Sequence, residues 1–447
     1  MVRARHFSRL DWISAGLSTL AALAIYLATL APTVTMEYSG ALVVAADHLG
    51  VARPPGYPVW TLLANGFIRL FPFATYHGHP NPAWAVNCMS AVFGALSCGL
   101  LALLTCRLSR ELIPDHRDSP LPRAVAGISA ALLFACSPAM WSQAVIAETH
   151  TLTTFAFLLL LAASLRWMAL GRDSIAFPLA LLFGLGLSIS PMLLAFAPLL
   201  LLAAAFVSRQ ALARMALAIL LFLGFLVAEF LWGRTHPSRA AAVLGAVLLL
   251  LLLFAAFRPA RSAAILLALL LAGLLPYLYL PLASARNPPM DMGCARAWEG
   301  FWHVVGRGQY EAMAPANPFA QPLAFARQIL WYGRLAAAQF TAPLAALALI
   351  PLAGLPWMPR HARQSIWLIL AALFCFSIGV LIGANPRLDI QNTFVVRVVF
   401  IPSFALLALL CGLALRMLLL AFPPRRPGPP PCPSAGDAAS GPAVTVN

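Results

Sequence analysis

Long apolar blocks separated by short arginine-bearing loops set the pattern of this chain. Most blocks run for about 17–22 residues, enough at about 1.5 Å per residue to cross a hydrocarbon core about 30 Å thick. The spans expected on this basis are Trp12–Ala31, Ala83–Thr105, Ala124–Met140, Thr151–Ala169, Ile175–Ile189 and Met192–Val207, then Met215–Trp232, Ala240–Phe257, Ser262–Leu282, Thr341–Trp357, Ile366–Gly383 and Val398–Ala421, about twelve in all. The block Pro58–Phe73 is read as an interfacial or re-entrant helix instead. It is short and carries Asn65 and Arg69, and an arginine at mid-membrane costs about 2.5–3.5 kcal/mol. With that assignment, eighteen arginines fall in the ends and short loops of one side, against four (Arg234, Arg239, Arg387, Arg397) in the short loops of the other. If Pro58–Phe73 crossed, every later loop would change sides and the bias would reverse. The pattern predicts an all-α, polytopic transmembrane helical bundle with both termini cytoplasmic.

Composition sharpens this reading. Of 447 residues, 62% are hydrophobic and 10% charged, whereas soluble domains carry about 25% charged residues. The formal charge of +15 is entirely arginine, with no lysine. Its place in short loops marks cytoplasmic sidedness and excludes a nucleic-acid patch. All-arginine usage beside abundant Ala, Leu and Pro points to a GC-rich genome, and the expected site is a bacterial inner (plasma) membrane. Eight cysteines include no CxxC pair, and only Cys294 falls in a large loop. Neither disulfides nor zinc are expected, and no other metal or cofactor is indicated. The first block is too long for a cleavable signal peptide.

Two expected outer loops, Pro32–Pro82 and Ala283–Phe340, are too long to be connectors, and such loops usually carry function. They are expected to contain short interfacial helices within a transmembrane domain over residues 1–422. Residues 423–447, rich in Pro, Gly, Ser and Ala, read as a disordered cytoplasmic tail. In the first loop Ser39-Gly40 is suited to start a helix, with Glu37 near its positive end. Asp47 follows, and Arg53-Pro54-Pro55-Gly56-Tyr57-Pro58 forms a stiff turn back to the membrane. Packing for shape alone accounts for this loop as well as chemistry does.

These residues carry a resemblance. Thr33, Val34, Thr35, Ser39, Gly40, Leu49, Gly50, Pro54, Pro55, Gly56 and Pro58 follow the first-loop pattern of the polytopic family once called domain of unknown function 2723, which includes transmembrane protein 260-type O-mannosyltransferases. Asn87 and Ser90 fit the pattern entering the next span, and Trp141, Gln143, Ala147, Glu148 and Thr151 fit its tryptophan-glutamine-alanine-glutamate segment. Asn287-Pro288-Pro289-Met290, Gly293, Trp298-Glu299-Gly300-Phe301, Arg307, Gln309 and Tyr310 match in the second loop, and Asn385-Pro386, Asp389, Gln391, Arg397 and Pro402 in the last. Where the family has a loop aspartate, a glutamate and a histidine, this chain has Tyr38, Ala41 and Arg53.

The resemblance implies a GT-C-like fold and transfer of a sugar from a polyprenyl-phosphate carrier to an acceptor on the non-cytoplasmic side. Such chemistry needs a carboxylate as general base, and Glu37 is the first candidate, with Asp47 and Glu148 behind it. It needs a cation for the departing lipid phosphate, which suits the planar guanidinium of Arg307, with Arg53, Arg286 and Arg397 as further candidates. Trp298, Gln309 and Tyr310 are candidates to line the sugar. Each arginine also fits an interfacial lipid anchor, and each aromatic a membrane belt. Two other functions stay open. One is a catalytically silent relative that binds lipid-linked sugar. The other is a transporter, which calls for inverted repeats and midplane charges absent from the sequence.

Overall fold

A computed structural model of the chain describes residues 7–112, 118–256, 260–310 and 315–421. The expected tail at 423–447 lies outside them. Among the described residues the chain is a bundle of helices with one hairpin of two-residue strands, Thr75–Tyr76 paired with His79–Pro80. The first helices are α1 (Arg9–Ala28), α2 (Ser39–Asp47), α3 (Pro58–Leu70), α4 (Pro82–Leu112), α5 (Pro120–Ala135), α6 (Pro138–Ala144) and α7 (His150–Leu170). They are followed by α8 (Asp173–Ile189), α9 (Ala197–Val207), α10 (Arg209–Leu231), α11 (Pro237–Ala256), α12 (Arg261–Ala272), α13 (Tyr279–Ser284) and α14 (Trp298–Val305). The last are α15 (Pro322–Phe340), α16 (Ala342–Leu347), α17 (Ile350–Ala353), α18 (Arg360–Phe374), α19 (Val380–Ala384), α20 (Ile390–Val396) and α21 (Ile401–Ala421).

Among the described residues, seven helical segments are long and apolar enough to cross a membrane, or up to nine if each of two bent pairs is one span. Three shorter apolar helices, Asp173–Ile189, Pro191–Val207 and Pro237–Leu251, coincide with three further expected spans. The expected Ala124–Met140 span is one of the bent pairs, α5 and α6, at 70°. The break follows from Pro138, whose ring cannot continue the α5 ladder. A larger difference concerns Pro322–Phe340. The sequence placed it in a loop with short helices, but it is a 19-residue helix, bent by 103° against Ala342–Trp357. Thr341, at φ +63°, makes the corner. Because Arg327 and Arg334 interrupt its apolar residues, hydropathy alone hid this helix.

Helix α1 shows how the sequence sets an end and the tertiary structure uses it. Ser8 caps the helix: its hydroxyl accepts the Asp11 N–H at 3.3 Å, and its own N–H donates to the Asp11 carboxylate at 2.7 Å. The same carboxylate accepts Arg110 Nη2 of α4 at 2.7 Å and Arg123 Nε of α5 at 2.8 Å. Arg123 also pairs with Asp118, as does Arg416 Nη2 of α21 at 3.5 Å. One end of the bundle is therefore tied by a buried network across four helices.

The geometry of α1 and α4 decides the fate of Pro58–Phe73. The start of α1 meets the end of α4 through Asp11 and Arg110. At the other end, Asn81 and Asn87 donate to the carbonyls of Pro32 and Ala31 at 2.7 and 2.9 Å. The two helices are antiparallel and closely packed where Gly99 faces Thr19 and Ala15. The segment between them, with α2 and α3, thus leaves and re-enters the bundle at one end, and α3 does not cross. It packs there by its Trp60, Thr61, Ala64 and Asn65 face, and Asn65 donates to the Ala46 carbonyl at 2.9 Å.

Candidate functional site

At this loop end, the two large loops expected from the sequence join. Val51 N–H donates to Met290 O at 2.9 Å and Met292 N–H to Val51 O at 3.2 Å, a single parallel bridge. Tyr279 Oη donates to Gly50 O at 2.9 Å. Below the bridge, Val51, Leu280, Ala283, Ala295 and Val304 form a small buried core of their own. Gly56 rests against Leu280 and Val304 at φ +90°, a conformation open to glycine and a position without room for Cβ. The Pro54–Pro55 bond is cis, Tyr57 sits at φ +42°, and Pro58 opens α3 at a position that needs no N–H.

That turn carries Arg53 into the bundle. Its Nη2 lies 3.3 Å from Oε2 of Glu148, with side chains 14% and 2% exposed. Glu148 stands in the short segment between α6 and α7 and is held on all sides. Its carbonyl accepts Trp60 Nε1 at 3.2 Å and Ser90 Oγ at 3.4 Å, and its carboxylate accepts the Thr149 N–H at 3.2 Å. Burial pushes the Glu148 carboxyl above the usual glutamate range. Arg53 and the N–H groups of Thr149 and Tyr38 oppose that shift, while the charge of Glu37 reinforces it. The Arg53 guanidinium also lies over the Tyr38 ring, 4.1 Å from its centroid, and 5.9 Å from that of Tyr57.

Of the residues singled out in the sequence, Arg53 and Glu148 thus come together, and Glu37, exposed at φ +71° just before α2, is near enough for its charge to act on Glu148. Asp47 does not join them. It lies at the far end of α2, exposed, 3.9 Å from the His48 ring. Arg307 and Gln309 are exposed in the turn that leaves α14, and the side chain of Tyr310 lies outside the described residues. Arg286 is exposed beyond α13, and Arg397 lies over the Phe394 ring at 4.0 Å. Trp298 donates from Nε1 to Gly233 O at 2.9 Å and stacks on Phe301, so it anchors α14 to the turn between α10 and α11. Sequence reasoning missed Tyr38 as a contact of Arg53 and Trp60 as a support of Glu148. Their only signal was the alternation of aromatic and proline residues around the turn. Among the described residues, no group of three or more His, Cys, Asp or Glu is placed to hold a metal ion.

Residues 39–213 match the family described as the protein O-mannosyl-transferase TMEM260 N-terminal domain. Protein O-mannosyl-transferase TMEM260 of Mus musculus is 36% identical over 144 residues, which is 32% of this chain and 18% of the mouse protein. The Dictyostelium discoideum protein of the same name is 30% identical over 128 residues, 29% of this chain and 14% of that one. The matches span less than a fifth of these relatives. Among solved structures, the archaeal oligosaccharyltransferase AglB of Archaeoglobus fulgidus, in complex with an inhibitory peptide and a dolichol-phosphate, is similar over 94% of this chain and 53% of its own, with 14% identity and a TM-score of 0.41. The matched segment contains Arg53 and Glu148 and the helices that support them, and over that segment the chain is similar to the TMEM260-type protein O-mannosyl-transferases.

Proposed function

We propose that the chain is a membrane glycosyltransferase that moves a sugar from a polyprenyl-phosphate carrier to an acceptor hydroxyl, with the loop end on the non-cytoplasmic side. The observation that carries this reading is the buried Arg53–Glu148 pair, which the charge of Glu37 reaches and whose arginine lies two residues beyond the Val51 bridge between the two large loops. The named relatives are protein O-mannosyltransferases, which favours mannose as the sugar. The arginine bias of the loops supports the sidedness and the cytoplasmic placement of both termini.

Glu37 is the general base, because it is exposed and an acceptor can approach it. It takes the hydroxyl proton as that oxygen attacks the anomeric carbon. The bond from that carbon to the phosphate oxygen breaks, and the polyprenyl phosphate leaves with the electron pair. Arg307 stabilises the leaving phosphate from the turn three residues beyond Val304, which packs on Gly56. Glu148 is too enclosed to meet an acceptor and serves to hold Arg53.

Purified protein in lipid nanodiscs, given radiolabelled polyprenyl-phosphate mannose and a serine- and threonine-containing peptide, tests this. Glu37→Gln should lower transfer by about a hundredfold or more, the usual worth of a general base. Transfer by Glu37→Gln at the wild-type rate would remove it from the role. Wild-type protein that binds the donor without turnover would favour the silent carrier, a reading motivated by Tyr38 and Ala41 standing where relatives have acids.

A further inference from the structure

The Arg53–Glu148 pair has a third member. Arg53 lies between a buried carboxylate at 3.3 Å and the face of the Tyr38 ring at 4.1 Å. Tyr38 belongs to the segment before α2, Arg53 to the turn before α3, and Glu148 to the segment before α7, so three distant pieces of chain meet at one guanidinium. A ring and a guanidinium make a contact that no physiological pH removes.

We propose that Tyr38 is a positioning residue, whose ring presses Arg53 onto Glu148 and keeps that pair closed. The ring's negative face attracts the cation, and its body covers a guanidinium that is already largely withdrawn from water. Tyr57 adds a weaker contact from the other end of the turn. Tyr38 acts on Glu148 by two routes, through its ring on Arg53 and through its backbone N–H, which favours the same carboxylate. The backbone contact survives any side-chain change, so substitution isolates the ring. Among the described residues, the charges that act on Glu148 are Arg53 from the turn and Glu37 from the segment before α2, with His150 two residues on at the start of α7 and under the influence of Arg53. Only Arg53 favours the carboxylate form by its charge. Loosening Arg53 therefore makes Glu148 hold its proton to higher pH.

The role rests on the reading of this cluster as the working site, but its test needs no substrate. The carboxyl stretching band of Glu148, identified by its loss in Glu148→Gln, is followed by infrared spectroscopy against pH in nanodiscs. Tyr38→Leu removes the ring and should move the titration midpoint upward by about half a unit, the equivalent of one partly exposed cation–π contact. Tyr38→Phe keeps the ring and should titrate as wild type does. Tyr38 is 43% exposed, and retention of the wild-type melting temperature shows that a variant is folded. Arg53→Lys serves as a second probe and should also move the midpoint upward, because the ammonium stacks less well on the ring. A midpoint unmoved in Tyr38→Leu overturns the proposal, and so does a Tyr38→Phe midpoint that moves as far as that of Tyr38→Leu. If the midpoints move as expected while no sugar is transferred, the positioning role stands and the glycosyltransferase reading falls.

Discussion

Gly56 is where the two large loops press together beside the site, and replacing it by alanine tests both the junction and its purpose. Two costs act at once. At φ +90° an L-residue is strained, worth about 1–2 kcal/mol. The added methyl would lie 2.8 and 2.9 Å from the Leu280 methyls and 3.2 Å from Val304 Cγ1. Leu280 and Val304 are buried in the small core beneath the bridge, so their retreat counts as overpacking, worth about 1–3 kcal/mol. The two effects sum to about 2–5 kcal/mol. The expected outcome is a clear loss of thermal stability, together with weaker sugar transfer as the turn carrying Arg53 shifts. Gly40 is the internal control: it lies in α2, and a methyl built there meets nothing within 4 Å. Gly40→Ala should leave stability unchanged or raise it by up to about 1 kcal/mol, the helix-propensity gain. Melting curves of both variants in the same detergent give the comparison. If Gly56→Ala melts with Gly40→Ala, the loop junction contributes nothing to the fold and the reasoning fails.

Two further outcomes follow from buried charge. Asp11→Asn leaves Arg110 and Arg123 facing an amide at the opposite end of the bundle, where Asp11 is 1% exposed. Losing one partner of such a network costs about 3–5 kcal/mol, so the melting temperature should fall while the loop-end site keeps its infrared signature; an unchanged melting temperature would contradict the buried clamp. Glu148 gives a pH dependence: its folded-state proton affinity is raised chiefly by burial, from an ordinary value of 4.5. Its contribution to stability is then full below that ordinary value and fades as pH rises through the raised one. Relative to Glu148→Gln, wild-type protein should lose stability across that window, and melting curves that stay parallel from acid to neutral pH would refute the assignment.

Most of the spans were legible in the sequence because crossing a membrane is a local property, each block having to satisfy the hydrocarbon thickness by its own length and apolarity, whereas the expected Thr341–Trp357 span is one arm of a bent pair. The same holds for the Ser39 and Pro58 helix starts, and for the place of α3 on one side, which the arginine distribution implied before α1 and α4 showed it. Glu37, Arg53 and Glu148 were legible as candidates by residue type and motif, and equally so was Asp47, which the structure leaves at the far end of α2. What separated them was decided only by tertiary structure. Arg53 and Glu148 are 95 residues apart, and no local rule says that the turn before α3 points at the segment before α7. That follows from how α3, α4 and α7 stack, with Trp60 and Ser90 both holding the Glu148 carbonyl. The 103° corner at Thr341 and the ring of Tyr38 on Arg53 have the same origin. Hydrophobic period and charge bias act along the chain, whereas a buried ion pair exists only where packing excludes water from two segments at once.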